Sequence, residues 1–415
     1  MAHERIVIAG GGLAGATAAR TLRSEGYSGP ITLIGAENRI PYIRPPLSKE
    51  FLVEKVGDDA VEVMPAGWYQ DNDVEVLLAS PVSGINPGDH EVALSNGRGL
   101  GYTKLLLATG AQPRTVPIPG ADLDGVMTFR TFDDSLRLRS LLREGGRSVV
   151  MIGSGWIGME LSAAARTYGN EVTLLGLEDI PLSAAIGPRL GRYFQQIHTE
   201  HGVHFRLPAS AAGIEGKHGK PTAVRTNTGE TLAADVVIIA VGVVPNTALA
   251  EAAGLALRNG ILVDAGLHTS APDVFAAGDV ANAFHPFTGE HHRSEHWANA
   301  LNGGKVAAKS MLGQEAVLDV VPYFYTDQFD LSMEYSGFPS LASGVEPVIR
   351  GSLDDGSFIA FWLREQQVVA GMSVNQRRVQ KPIKALISSR VRADVALLTD
   401  PGVPLEELLP GGHRS

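Results

Sequence analysis

Apolar residues in this chain come in short runs, and the runs recur in the same order twice. Ile6-Val7-Ile8-Ala9, Ile31-Thr32-Leu33-Ile34 and Leu105-Leu106-Leu107-Ala108 form the first set. Val149-Val150-Met151-Ile152, Val172-Thr173-Leu174-Leu175 and Val236-Val237-Ile238-Ile239-Ala240 form the second. Runs of this length, bounded by turn residues, predict strands. Glycine punctuates both sets at matching places. The first run of each set enters Gly10-Gly11-Gly12-Leu13-Ala14-Gly15 or Gly153-Ser154-Gly155-Trp156-Ile157-Gly158, and the last run of each ends at Gly110 or Gly242 with a proline (Pro113, Pro245) soon after. One supersecondary unit has been duplicated. From Val320 the pattern changes: Tyr323-Phe324-Tyr325 and Phe358-Ile359-Ala360-Phe361-Trp362 alternate with Gly and Asp turns, which predicts an antiparallel sheet.

The expected fold class is α/β, with two Rossmann-like nucleotide-binding domains and a C-terminal α+β domain. The stretch Val274-Phe275-Ala276-Ala277-Gly278-Asp279 reads as an extended strand returning to the first domain. The expected division is 1–109 with 246–318, then 110–245, then 319–415.

Each fingerprint reads strand, G-x-G-x-x-G, helix. The first glycine allows a tight turn, the second lets the backbone approach a pyrophosphate, and the third lets helix and strand pack closely. The phosphates then rest on helix N-terminal amides, where the dipole favours negative charge. Two such motifs in matched surroundings imply two nucleotide cofactors, hence an electron-transfer enzyme.

Composition narrows the chemistry. A chain of 415 residues has room for two or three domains. A formal charge of −10 argues against bulk nucleic-acid binding. No run approaches the roughly 20 apolar residues that span a bilayer, and the first strand starts too near Met1 for a signal peptide, so a cytoplasmic location is expected. The chain contains no cysteine. It therefore has no dithiol relay, no sulfenic acid and no thiolate-held iron–sulfur cluster of its own. Electrons must leave from a bound cofactor itself.

At this point the residues resemble a family. The fingerprints, Arg44-Pro45-Pro46-Leu47-Ser48-Lys49, Ala276-Ala277-Gly278-Asp279-Val280-Ala281, Trp297-Ala298-Asn299-Ala300 and Tyr325-Thr326-Asp327-Gln328-Phe329 are similar to those of the FAD-containing NADH–ferredoxin reductases that feed oxygenases, the putidaredoxin-reductase-like group of the glutathione-reductase-like fold. The resemblance implies FAD at the first fingerprint, NADH at the second, and a [2Fe-2S] ferredoxin as acceptor; a monomer and a homodimer both fit. It implies that Lys49 lies beside the reactive flavin nitrogen and pairs with Glu160, the two forming the catalytic pair. It places FAD on Gly10, Gly12, Leu13, Ala14, Gly15, Glu37, Arg44, Pro45, Lys49, Val82, Ala108, Thr109, Gly110, Arg130, Gly278, Asp279 and Trp297, and the nicotinamide nucleotide on Gly153, Gly155, Trp156, Ile157, Gly158, Glu178 and Gly242. Trp156 is equally readable as core packing. Tyr323 and Tyr325 stand where relatives carry tryptophan. Rival readings are another acceptor (rubredoxin, quinone or dioxygen) or a nucleotide-sensing interaction protein of the apoptosis-inducing-factor kind.

Three local features carry further expectations. After the second strand of the second unit, where an acidic residue usually binds the ribose, stands Gly176, followed by Leu177, Glu178 and Asp179. Glu178 substitutes from the loop, and no Lys or Arg follows before Arg189, which favours NADH over NADPH. The cluster His291-His292-Arg293-Ser294-Glu295-His296 matches no zinc spacing; no metal is expected, and the segment reads as an exposed loop. Arg377, Arg378, Lys381, Lys384, Arg390 and Arg392 have no acidic residue between them, which suits either an acidic ferredoxin or a solvated helix face.

Overall fold

The computed structural model describes residues 5–409. The chain divides into two compact units. The first takes the chain up to Arg44 with Gly57–Gln112 and Val243–Pro322; the second takes Pro45–Val56, Pro113–Gly242 and the chain from Tyr323 onward.

In the first unit, the short apolar runs become a five-stranded parallel sheet in the order Val274–Ala276, Lys104–Leu107, Ile6–Ala9, Ile31–Ile34, Val74–Leu77. The first four strands lack polar alternation because both faces are covered, whereas the edge strand Val74–Leu77 exposes Glu75. Their register puts Ala276, Leu107, Ala9, Ile34 and Leu77 side by side at one edge. That is the carboxyl edge, where open α/β sheets bind ligands. The helices Leu13–Ser24 and Trp297–Met311 pack closely because both offer small residues. A side chain at Gly304 would overlap the Ala14 carbonyl oxygen.

The second unit repeats the plan. Its parallel sheet runs Val203–Arg206, Glu171–Leu175, Ser148–Ile152, Val236–Ile239, Val126–Thr128. It also contains a five-stranded antiparallel sheet in the order Tyr323–Gln328, Leu331–Gly337, Gln367–Val374, Ser357–Arg364, Val348–Ser352. Phe358, Phe361, Trp362 and Met372 are buried in it, and Ile383 and Leu386 of the helix Gln380–Ser389 are buried too.

One expectation is corrected here. His291, His292 and Arg293 are not an exposed loop: they lie in the strand Glu290–Arg293, paired antiparallel with Ala281–His285. Gly289, at φ 70°, turns the hairpin, and the histidines are half-buried. His292 Nε2 lies 2.6 Å from Thr288 Oγ1, and the His291 ring meets the edge of Phe284. The polar residues hid a strand that this glycine turn announces.

Candidate functional site

The two glycine turns are built alike. Gly10 (φ 137°) and Gly153 (φ 118°) occupy backbone reserved for glycine, and a side chain on either would overlap a carbonyl oxygen, of Ala108 or of Ala240. Their amides are held by Ile34 and Leu175 at 2.8 Å. Each fingerprint helix begins two residues beyond the second glycine's predecessor: at Leu13 after Gly12, and at Trp156 after Gly155, and neither N-cap has a side-chain hydrogen bond. The first-turn amides thus face the carboxyl edge with no intrahelical acceptor, which is an anion site.

Around the first turn the structure gathers several predicted residues. Arg44 Nη1 would stand 3.4 Å from a side chain at Gly12. Its Nη2 donates to Glu37 Oε1 at 3.3 Å, and the Tyr42 hydroxyl donates to Glu37 Oε2 at 2.6 Å. Arg44 Nε is buried with no hydrogen-bond partner among the described residues, a donor suited to an anionic ligand. Gly278 and buried Asp279 follow the strand Val274–Ala276, and a side chain at Gly278 would lie 3.2 Å from Ala14 Cβ. Thr109 is pinned by Asn246: its hydroxyl donates to the Asn246 carbonyl at 3.0 Å, and the Asn246 amide donates back at 2.8 Å. Ala108 and Gly110 flank it. Val82 lies in the strand Val82–Asn86 and packs on this unit's core, and Trp297 is the first residue of its helix. An amide cradle, a buried guanidinium donor and two carboxylates fit a flavin dinucleotide.

Pro45, Lys49 and Arg130 belong instead to the second unit. Arg130 precedes the helix Phe132–Leu142, whose capping box pairs Thr131 with Asp134.

Around the second turn, Gly176 is sterically required. A side chain there would lie 2.7 Å from Ser154 Cβ and 2.8 Å from Leu207 Cδ2. No acid fits directly after this strand. Glu178 is half-buried and accepts from Ser183 Oγ at 2.9 Å. Leu177 is 79% exposed and Ile157 42%. Trp156 packs edge-on against Phe194 and Phe324, with centroids 5.5 and 5.3 Å away. Gly242 (φ 93°) follows the matching strand Val236–Ile239 three residues on.

The second unit also holds a buried ion pair. Lys49 Nζ lies 2.9 Å from Glu160 Oε2, and the two side chains are only 7% and 5% exposed. Pro45-Pro46-Leu47-Ser48 forms a short 3-10 turn that aims Lys49, and the Ser135 hydroxyl donates to the Leu47 carbonyl at 2.7 Å to hold the turn down. Lys49 also donates to the Pro45 carbonyl at 2.9 Å. Glu160, on the second fingerprint helix, accepts from the Ser48 hydroxyl at 2.5 Å and the Thr326 hydroxyl at 2.7 Å. A buried ion pair is tolerated only when such bonds satisfy its remaining sites. The Tyr325 ring lies 5.7 Å from Lys49 Nζ; burial, then the Glu50 carboxylate, push its phenol up to about 12.

Residues 4–304 match the family described as pyridine nucleotide-disulphide oxidoreductase, and 323–409 match the reductase C-terminal domain. The chain belongs to this oxidoreductase family. The oxidoreductase is 37% identical to the ferredoxin–NAD(+) reductase component of the anthranilate 1,2-dioxygenase system of Burkholderia cepacia, over 99% of this chain and 100% of that one. It is 36% identical to rhodocoxin reductase of Rhodococcus erythropolis, over 93% and 90%. The crystal structure of the covalent putidaredoxin reductase–putidaredoxin complex superposes with a TM-score of 0.95 at 32% identity, covering 100% of both chains. The oxidoreductase is therefore one of the NAD-dependent ferredoxin reductases of this family, which implies a flavin and NAD(H). Despite the family's description, it has no cysteine.

Sequence reading of the oxidoreductase overlooked Ser48, Thr326 and Gln328 as site residues. Thr326 and Gln328 occupy the buried phase of an otherwise amphipathic strand, and polar residues in that phase are the available signal. The basic segment is also less uniform than a solvated helix face. Only Lys381 and Lys384 are helical, and Lys384 lies half-buried over the Tyr323 ring at 4.2 Å. Arg377, Arg378, Arg390 and Arg392 are exposed on either side of the helix. Among the described residues, no group of three or more His, Cys, Asp or Glu is placed to hold a metal, and no helix is long and apolar enough to cross a membrane.

Proposed function

We propose that this reductase binds FAD at the first glycine turn and NADH at the second, and passes electrons one at a time to a [2Fe-2S] ferredoxin that supplies an oxygenase such as a cytochrome P450. FAD, when bound, accepts two electrons as hydride and surrenders them singly, which nicotinamide does not do. The protein's share is binding, orientation and electrostatics. The amides at Leu13, Ala14 and Gly15, the Arg44 guanidinium and Arg130 hold the phosphates. Glu37 takes the adenosine ribose and Asp279 the ribityl hydroxyls, while Pro45, Val82, Ala108, Thr109, Gly110 and Trp297 complete the FAD set. Lys49 is the cation that serves the flavin ring, with Glu160 as its counter-ion. Gly153, Gly155, Trp156, Ile157, Gly158, Glu178 and Gly242 receive NADH.

NADH is preferred to NADPH because Glu178 and Asp179 would meet a 2′-phosphate with like charge. The exposed arginines around the Gln380–Ser389 helix steer an acidic ferredoxin to the C-terminal sheet. The FAD domain comprises 1–109 and 246–318, the NAD domain 110–245 and the third domain 319–415; the location is cytoplasmic.

The observation that carries this reading is the pair of matched nucleotide cradles in a chain without a thiol. NADH-driven cytochrome c reduction by FAD-loaded protein, with and without a panel of [2Fe-2S] ferredoxins and repeated with NADPH, tests it. Strong ferredoxin stimulation with NADH preferred is the expected result. Rapid flavin reduction that no ferredoxin stimulates points to a different acceptor or to sensing.

A further inference from the structure

The Lys49–Glu160 pair is one end of a longer buried chain of polar groups. Beyond Thr326, the Gln328 Nε2 donates to Thr326 Oγ1 at 3.0 Å, and Gln328 Oε1 lies 3.0 Å from His198 Nε2 on the helix Pro188–Glu200. Thr326, Gln328 and His198 are 1%, 2% and 1% exposed. Buried networks of this kind are costly unless every donor meets an acceptor.

That requirement fixes the direction of every bond. An ionised carboxylate only accepts, so Thr326 gives its single hydroxyl proton to Glu160 Oε1. The Thr326 oxygen then receives the N–H of Gln328, which turns the Gln328 carbonyl towards His198. The ring must therefore present N–H at Nε2. His198 Nδ1 is buried with no hydrogen-bond partner among the described residues, as suits a bare nitrogen. Burial, then nearby His201, lowers the ring's pKa to about 3, so it takes no second proton near neutrality. The edge-on Phe329 ring, 5.0 Å away, adds to the apolar wall.

We propose that His198 and Gln328 are positioning residues: the Nε2–H tautomer of His198 orients the Gln328 amide, which holds the Thr326 hydroxyl on Glu160 and so keeps Glu160 as the counter-ion of Lys49. This rests on the reading of Lys49 as the cation that serves the flavin ring. Without the donor at position 198, the amide is free to reverse. Its carbonyl then draws the Thr326 proton away, and Glu160 loses a charge-assisted hydrogen bond.

Nitrogen-15 NMR of the imidazole-labelled holoprotein at neutral pH reads the tautomer without any variant. A protonated Nε2 with a bare Nδ1 is expected; the opposite tautomer or an imidazolium overturns the proposal. Stopped-flow reduction by NADH provides the second arm. His198→Leu should slow reduction about tenfold, the scale of one hydrogen bond to a charged group, with the dissociation constant for NADH unchanged. His198→Gln, which returns an N–H at the Nε2 position, should recover most of the rate. Equal rates for wild type and His198→Leu, or equal failure of both folded variants, overturns the proposal. Lys49→Ala separates the two ideas. If it leaves reduction at the wild-type rate, the role of Lys49 falls, while the NMR result still decides the orientation of the chain.

Discussion

The two glycine turns share a backbone and differ in their furniture. At Gly10 and Gly153 the φ angles, the facing carbonyls and the holding bonds to Ile34 and Leu175 correspond one for one. Beyond that the turns part. Gly12 has the Arg44 guanidinium against it, whereas a side chain at Gly155 would meet nothing within 4 Å. The first turn has Gly278 against it, where a side chain would lie 3.2 Å from Ala14 Cβ, while the second has exposed Ile157 and Leu177 beside it. We read the first as furnished to retain a nucleotide and the second as left open to exchange one. Duplication supplied the cradle; the side chains around each copy divide the work.

The comparison breaks most readily at its shared part. Gly10→Ala and Gly153→Ala each force a side chain onto a carbonyl oxygen at a backbone angle reserved for glycine, at a local cost of about 3 kcal/mol or more. The expected outcomes differ: Gly10→Ala purifies without flavin, and Gly153→Ala keeps its flavin absorbance but loses NADH-dependent reduction. Equal flavin loss in both would erase the distinction.

The next effect probes the wall of the second unit. Burial, then His201, lowers the pKa of native His198 to about 3, whereas its unfolded ring titrates near 6.5. Between those values the unfolded state binds the extra proton. The stability this ring contributes is thus fully present above pH 6.5 and falls as pH drops, by up to about 1.4 kcal/mol per pH unit. Urea unfolding at pH 6.5 and 4.5 should show wild type losing more stability than His198→Gln; parallel losses would contradict a buried neutral ring.

A smaller effect sharpens the open side of the comparison. Gly155→Ala should leave unfolding free energy within about 0.5 kcal/mol, yet raise KM for NADH roughly tenfold by holding the pyrophosphate off the amides. A matched loss of stability would show that the space is not free. The smallest effect lies away from both turns and serves as a control. Charge reversal at Arg377 and Arg378 should weaken ferredoxin turnover a few-fold, more so at low salt, with ferricyanide reduction unchanged. An equal effect on both acceptors would remove the docking role.

Much of this was legible in the chain. The unbroken apolar runs and their glycines mark the three inner strands of each parallel sheet, because a strand covered on both faces has no polar phase to hide it; the edge strands Val74–Leu77 and Val203–Arg206 carry polar residues and were not marked. Gly-Asp at 278–279 marks the strand that returns to the first sheet. The passage of Pro45–Val56 into the second unit was not legible, since it depends on tertiary contacts such as that of Ser135 with Leu47. Nor was the directed chain from His198 to Glu160. Its members come from separate elements, and a lone buried glutamine or histidine carries no sequence mark of its partner. The hairpin at His291 was masked by polar side chains that are half-buried on a small sheet.

Ser154 and Gly176 have a consequence for how this reductase's nucleotide preference changes over time. With Ser154 Cβ 2.7 Å from where a side chain at 176 would begin, an aspartate or arginine arriving at 176 finds its place already taken. The reverse order is passable: with glycine at 154 first, a charge at 176 has only the end of the Leu207 side chain, 2.8 Å away, to displace. The two positions are epistatic: a charge at 176 is reached only after the side chain at 154 has gone.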